Sequence, residues 1–213
     1  MGTKAVALSC CLLFASLSQA ADQQAHQSPE TSKSLAYATY KETTGRVELV
    51  VGSQIAGLAE HEKYIPLQIA VSLNGKGPEI EVTPDRFQLI DAAGNIYNAV
   101  SAADTAKEPS VLEYARGFNQ QNPLVTAFEF ATDVDRVMSN FYPQVGGDFY
   151  VVSHLGTDTF LEDLLFFPNP GDALGGVLTL QFLTPGMDAA VMLRFEVPVK
   201  NKKSKKKKKK NSE

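Results

Sequence analysis

The run Tyr64-Ile65-Pro66-Leu67-Gln68-Ile69-Ala70-Val71-Ser72-Leu73 leaves this chain little choice of local structure. Leu67, Ile69, Val71 and Leu73 share one side of a period-two repeat, and Gln68, Ala70 and Ser72 share the other. A helix would scatter the same residues around its circumference. Asn74-Gly75-Lys76-Gly77-Pro78 follows, with residues suited to positive or fixed φ, and turns the chain.

The same rhythm recurs on both sides. Val47-Glu48-Leu49-Val50-Val51 begins a strand before it. Glu79-Ile80-Glu81-Val82 and Phe87-Gln88-Leu89-Ile90 alternate after it, and Asp91-Ala92-Ala93-Gly94-Asn95 loops back into Ile96-Tyr97. Further on, Phe149-Tyr150-Val151-Val152 is short and β-prone. Leu161 to Phe167 stops at Pro168-Asn169-Pro170-Gly171. Val177–Phe182 and Val191–Val197 flank Pro185-Gly186-Met187-Asp188 as a terminal hairpin. Turn signals every ten or so residues are the pattern of an antiparallel sandwich.

The middle reads differently. Val111, Leu112, Ala115 and Phe118 have helical spacing between Pro109 and Asn122, and Ser110 with Glu113 fits a capping box. Leu124 to Phe130 suits a second helix or a strand. Thr132-Asp133 is placed to cap a short helix through Met138. The expectation is a mainly β domain over residues 34–199: an antiparallel β-sandwich of seven or so strands, with one or two inserted α-helices at about 109–143. Roughly 165 residues suffice for one core, and twelve Phe and seven Tyr can fill it without tryptophan.

Three stretches within Tyr64–Tyr97 carry a family likeness: Tyr64–Val71 with Asn74-Gly75, Ile80–Phe87, and Leu89–Tyr97. Together they resemble bacterial exported domains of unknown function with an immunoglobulin-like β-sandwich. The resemblance covers about a fifth of the chain. It implies a fold and brings no catalytic residue with it, and the 109–143 insert departs from its pattern.

The N-terminus predicts export. Met1 to Lys4 carries one positive charge, Ala5 to Leu17 is apolar or small, and Ser18-Gln19-Ala20 is a small-x-small site. These are the three parts of a secretory signal peptide, cleaved after Ala20. Periplasmic or extracellular localisation follows. Residues 21–33 read as a flexible polar leader. Cys10 and Cys11 both lie within the signal and fit a lipidation box poorly. A mature chain starting at Ala21 has no thiol for a disulfide, nucleophile or metal site.

Charge is split along the chain. Residues 200–213 hold nine lysines and one acid, whereas Ala21 to Val199 holds ten Lys/Arg against twenty-three Asp/Glu, a net of −13. Lys202, Lys203, Lys205, Lys206, Lys207, Lys208, Lys209 and Lys210 repel one another and bury nothing, so this tail is expected to be disordered. Its candidate role is binding an anionic surface, such as envelope phospholipid or polysaccharide, at about 1 kcal/mol per lysine. Screening the acidic body, or no role at all, are the competing readings. An acidic body without a basic-aromatic face argues against sequence-specific nucleic-acid binding.

Catalytic motifs are missing. His26, His61 and His154 have no metal-ligand spacing, and Ser153 beside His154 would point to the opposite face of a strand. Gly146-Gly147 and Gly175-Gly176 lack a phosphate-loop context. The oxygen-rich group Asp158, Glu162 and Asp163 is the candidate metal site, for calcium, although it lacks the EF-hand pattern. Nothing calls for a cofactor. The leading expectation is an exported non-catalytic binding or envelope-associated protein. The alternatives are a secreted enzyme, with a site around Tyr114, Arg116 and Asp163, and a subunit of an envelope assembly. A pocket gathering those three polar residues would favour the enzyme.

Overall fold

The computed structural model describes residues 31–124, 134–143 and 152–199. The expected signal peptide at 1–20, most of the expected leader at 21–33, the lysine tail, nearly all of the Leu124–Phe130 segment, the Thr132-Asp133 pair and most of the Phe149–Val152 run lie outside them.

The fold is mainly β. Three strands, β1 (Lys33–Ala36), β2 (Thr39–Thr44) and β3 (Val47–Gly52), form an opening meander. A short helix, α1 (Gln54–Leu58), leads to β4 (Tyr64–Leu73). Then come β5 (Ile80–Val82), β6 (Phe87–Ile90), β7 (Ile96–Asn98), α2 (Ala102–Thr105), α3 (Pro109–Gln121), β8 (Asp135–Arg136), β9 (Ser153–Leu155), β10 (Thr159–Pro168), β11 (Val177–Phe182) and β12 (Val191–Glu196). One sheet has the order β1-β2-β3-β4-β10-β8, a second has β12-β11-β6-β7, and β5 pairs with β9. Every pairing between described strands is antiparallel except β8 with β10. No described helix is long and apolar enough to cross a membrane.

The two larger sheets share one core. Leu67, Ile69 and Val71 of β4 and Leu161, Leu165 and Phe167 of β10 belong to the same buried cluster as Phe87, Leu89, Leu180, Phe182, Leu193 and Phe195 of the second sheet. Phe87 and Phe182 stack with ring centroids 4.5 Å apart. Truncating a fully buried phenylalanine of this kind costs about 3–5 kcal/mol.

The polar side of β4 is also buried. Every residue of β4 after Tyr64 is buried, Gln68 and Ser72 included. Cross-strand partners in an antiparallel pair share a face, so Gln68 and Ala70 sit beside Leu164 and Glu162. The end of α3 and the segment after it cover this face. Gln68 Nε2 donates to Asn119 Oδ1 and to the Asn122 carbonyl, each at 2.8 Å. The Leu124 amide donates to Glu162 Oε1 at 2.7 Å. Gly52 is needed here, because a Cβ at that position would lie 2.9 Å from Gln68 Oε1 and 3.0 Å from Leu124 Cδ2.

Several local expectations are corrected. The described strands number twelve, because short strands such as β8 and β9 carry no alternation to read. The helix α3 forms where expected, but its N-cap is Glu108, with Pro109 in the first turn and no side-chain cap. The reciprocal cap belongs to α2 instead. Ser101 Oγ accepts from the Asp104 amide at 3.1 Å and donates to Asp104 Oδ2 at 2.8 Å. Residues 135–136 form a strand rather than continuing a helix toward Met138, since the Asp135 and Val137 amides donate to Asp158 and Phe160 carbonyls.

The β6–β7 hairpin is organised around one carboxylate. Asp91 Oδ1 accepts from the Ala93 and Asn95 amides, both at 2.9 Å, and Oδ2 accepts from Asn95 Nδ2 at 2.8 Å and Tyr97 OH at 3.1 Å. The Asn95 side chain above all, with the other donors, holds the Asp91 carboxyl below its usual range. Asp91→Asn keeps the shape and removes the charge, so at neutral pH the variant should melt below the wild type. A depressed carboxyl contributes stability above its unfolded pKa, about 4, and loses it as pH falls through the folded value. The gap in Tm between the two proteins should therefore close on acidification; a gap independent of pH would show that the charge is not what these donors hold.

Candidate functional site

β8 covers only the first two residues of β10, pairing with Thr159 and Phe160. Beyond them no described strand lies along that edge of β10. Residues 137–142 continue along it through both backbone and side chains: the Val137 amide donates to the Phe160 carbonyl at 2.8 Å, and Asn140 forms an isolated β-bridge. Ser139 Oγ donates to the Glu162 carbonyl at 3.2 Å, and the Phe141 amide donates to Asp163 Oδ2 at 3.0 Å. Glu162 and Asp163 are neighbours on a strand and point to opposite faces. Both nonetheless line one cleft.

That cleft has a volume of about 380 Å³ and lies between α3, residues 136–142 and β10. From α3 come Arg116, Asn119 and Gln120, on one face of the helix by their i, i+3, i+4 spacing. Ala115, one residue away, is fully buried in the core and fixes which way that face turns. The opposite wall supplies Arg136, Ser139, Asn140 and Tyr142, and the floor Glu162, Asp163 and Leu164. Two cations and two carboxylates thus meet in one cleft. No ion pair joins either arginine to either carboxylate among the described residues.

Each charged group has a different degree of satisfaction. Asp163 uses Oδ1 for the Leu164 amide at 2.8 Å and Oδ2 for Phe141. Burial pushes its carboxyl up from the ordinary value, against the pull of these amides, Ser139 and the Arg136 charge. Burial also lowers Arg116, while the charges of Asp163 and Glu113 act the other way; the guanidinium stays protonated. Glu162 is 3% exposed and holds the Leu124 amide through Oε1. Its Oε2 is shielded and has no hydrogen bond among the described residues, and the same holds for Arg116 Nη2. Tyr142 packs edge-on against Phe166, its hydroxyl accepting from the Phe166 amide at 3.4 Å. Burial raises the Tyr142 phenol, so it stays protonated.

The candidate metal residues part company. Asp158 is exposed in the turn before β10, at φ 58°. Glu162 and Asp163 both spend carboxylate oxygens on backbone amides. Among the described residues no group of three His, Cys, Asp or Glu is placed to hold a metal ion. Arg116 and Asp163 do come together, but Tyr114 is exposed and does not line the cleft. His154 is exposed on β9, while Ser153 is buried and donates to the Met138 carbonyl at 3.2 Å. His61 stands 3.3 Å from Glu60 at the surface. The eight tail lysines lie outside the described residues.

Sequence reasoning missed Arg136, Ser139 and Asn119. Arg116, Asn119 and Gln120 were readable as a polar helix face, whereas residues 136–142 have no periodicity. Comparison with protein families, with curated proteins and with solved structures finds no match.

The raised Asp163 carboxyl makes a signed prediction. The folded chain holds this proton to higher pH than the unfolded chain. Its contribution is therefore complete below the unfolded pKa and is lost as pH rises through the folded one. Asp163→Asn does not titrate. The Tm of wild type minus that of Asp163→Asn should fall as pH rises from about 4; a difference that is flat or grows with pH would falsify the assignment.

Proposed function

We propose that the chain is an exported, non-catalytic binding protein whose cleft between α3 and β10 takes a small polar ligand. One observation supports this reading most: Arg116 and Glu162 line the same cleft, and Arg116 Nη2 and Glu162 Oε2 are both shielded without a hydrogen bond among the described residues. An unpaired buried charge is costly, and removing its partner from a buried pair costs about 3–5 kcal/mol. A ligand with an acceptor for the guanidinium and a donor for the carboxylate satisfies both after small side-chain rotations. That describes a zwitterion or a hydroxyl-rich acid, such as an amino acid or a sugar acid. The volume of about 380 Å³ sits at the small end of ligand sites, which span about 300–1,000 Å³. Within this reading the two sheets sharing one core are the immunoglobulin-like sandwich suggested by Tyr64–Tyr97.

A second reading, a secreted enzyme using this cleft, draws on one observation: a carboxyl with a raised pKa beside an arginine is a pattern seen at catalytic sites. Against it, both Asp163 oxygens already hold backbone amides, which suits a residue that shapes the wall.

Thermal melts with amino acids, sugar acids and neutral sugars test the binding reading. A ligand at a hundred times its Kd adds about 2.7 kcal/mol, a readily visible shift. Compounds carrying both an anionic group and a donor should raise the Tm of wild type and not of Arg116→Ala or Glu162→Gln. No shift with any compound, or an equal shift in the variants, removes the reading.

The tail is proposed as an electrostatic anchor, resting on the contrast between nine lysines in 200–213 and the acidic body. Deleting residues 200–213 should release the protein from envelope fractions at low salt, and high salt should release the full chain in the same way. Identical fractionation of the full and truncated proteins would rule out the anchor.

A further inference from the structure

A second site sits where three loops meet, and it shares no residue with the α3–β10 cleft. These are the β2–β3 turn, the loop after β4, and the β11–β12 hairpin loop, around a cavity of about 280 Å³. We propose that Arg46 and Lys76 in this cavity bind a small oxyanion, a carboxylate or a phosphate.

The backbone of Arg46 is anchored and its guanidinium packs into the cavity wall. Its carbonyl accepts the Asn74 amide at 2.7 Å, tying the β2–β3 turn to the end of β4. Its guanidinium lies against Gly77: a Cβ there would fall 1.8 Å from Nη1 and 2.6 Å from Cζ. The missing Cβ at Gly77 leaves room for the guanidinium in this position.

Arg46 is also unpaired. Both Nη1 and Nη2 are shielded and neither has a hydrogen bond among the described residues. No ion pair reaches Arg46 or Lys76 among the described residues. A guanidinium cannot shed its charge as a lysine can. Buried polar groups without partners are rare in folded proteins, and each calls for an explanation. A ligand that completes the group is such an explanation; among the described residues Arg46 makes neither a cation–π contact nor an ion pair.

The rest of the cavity suits a small anion. Lys76 is exposed on its rim and adds a second cation. Val47, Pro78 and Met187 supply apolar wall, which lowers the local dielectric and strengthens charge pairing. The planar fork of a guanidinium matches the paired oxygens of a carboxylate or phosphate. Asp188 also lines the cavity. It is the one charge there that opposes an anion, and it makes the proposal sharply testable.

The test is calorimetry and thermal melting of the full chain with inorganic phosphate and, separately, acetate, against chloride at equal ionic strength. Saturable binding of at least one is expected, and which of the two binds tighter separates phosphate from carboxylate ligands. Arg46→Gln should weaken that binding at least about tenfold, the scale of a charge-assisted hydrogen bond. Gly77→Ala should weaken it too, since it displaces the guanidinium while leaving the charge. Asp188→Asn should tighten it. Neither anion binding beyond chloride overturns the proposal, and so does full binding by Arg46→Gln. A loss of stability in Asp188→Asn without tighter anion binding also overturns it, because Asp188 is then the partner of Arg46 in solution.

Discussion

A strand buried on both faces needs a cover on each, and β4 imposes that requirement on the rest of this protein. Its apolar side, from Leu67 to Leu73, faces the core shared with β6, β11 and β12. Its other side carries Gln68 and Ser72, which are just as buried. An unsatisfied buried amide costs about 1–3 kcal/mol, so Gln68 needs partners there, whereas the Ser72 hydroxyl has none among the described residues. Gln68 resolves this by bonding the end of α3, which joins the burial of Val111, Leu112 and Ala115 in placing the helix. The cleft follows from it, because the turn of α3 that carries Arg116 and Asn119 is the turn that Gln68 fastens.

Much of this was readable from local pattern. Alternation identifies β4, β6, β11 and β12, because each pairs along its length with a neighbour of matching period. Helical spacing identifies α3, because Val111, Leu112 and Ala115 are the residues it buries. Pattern misleads where partners, not periods, decide. Ser110 and Glu113 have the spacing of a cap, yet Pro109 already starts the helix one residue earlier. Asp135 and Arg136 have no strand-like period and become a strand because β10 offers them carbonyls. Gln68 and Ser72 look like a wet face and are dry, because nothing in a strand announces that a helix will cover it.

The site was half legible for the same reason. Arg116 and Asp163 stand out as charges near the insert, and the fold does bring them together. Glu162 was readable only as one acid among three. Its distinguishing property, one oxygen bound to Leu124 and the other left over, depends on a contact across 38 residues of chain. Arg46 gave no signal at all. Its isolation arises from three loops that are far apart in sequence and from the absence of a side chain at Gly77.

The short β8 carries one more consequence. A strand edge with open amides and carbonyls is a template on which a second chain can dock, and chains that dock edge to edge grow into aggregates. Past Phe160, β10 pairs with no further described strand, yet its edge is already occupied. The Glu162 carbonyl accepts from Ser139, the Leu164 amide donates to Asp163, and Phe166 donates to Tyr142 and accepts from the Val100 amide. An incoming strand would have to displace these bonds, so side chains that shape one wall of the cleft also take the places a second chain would need.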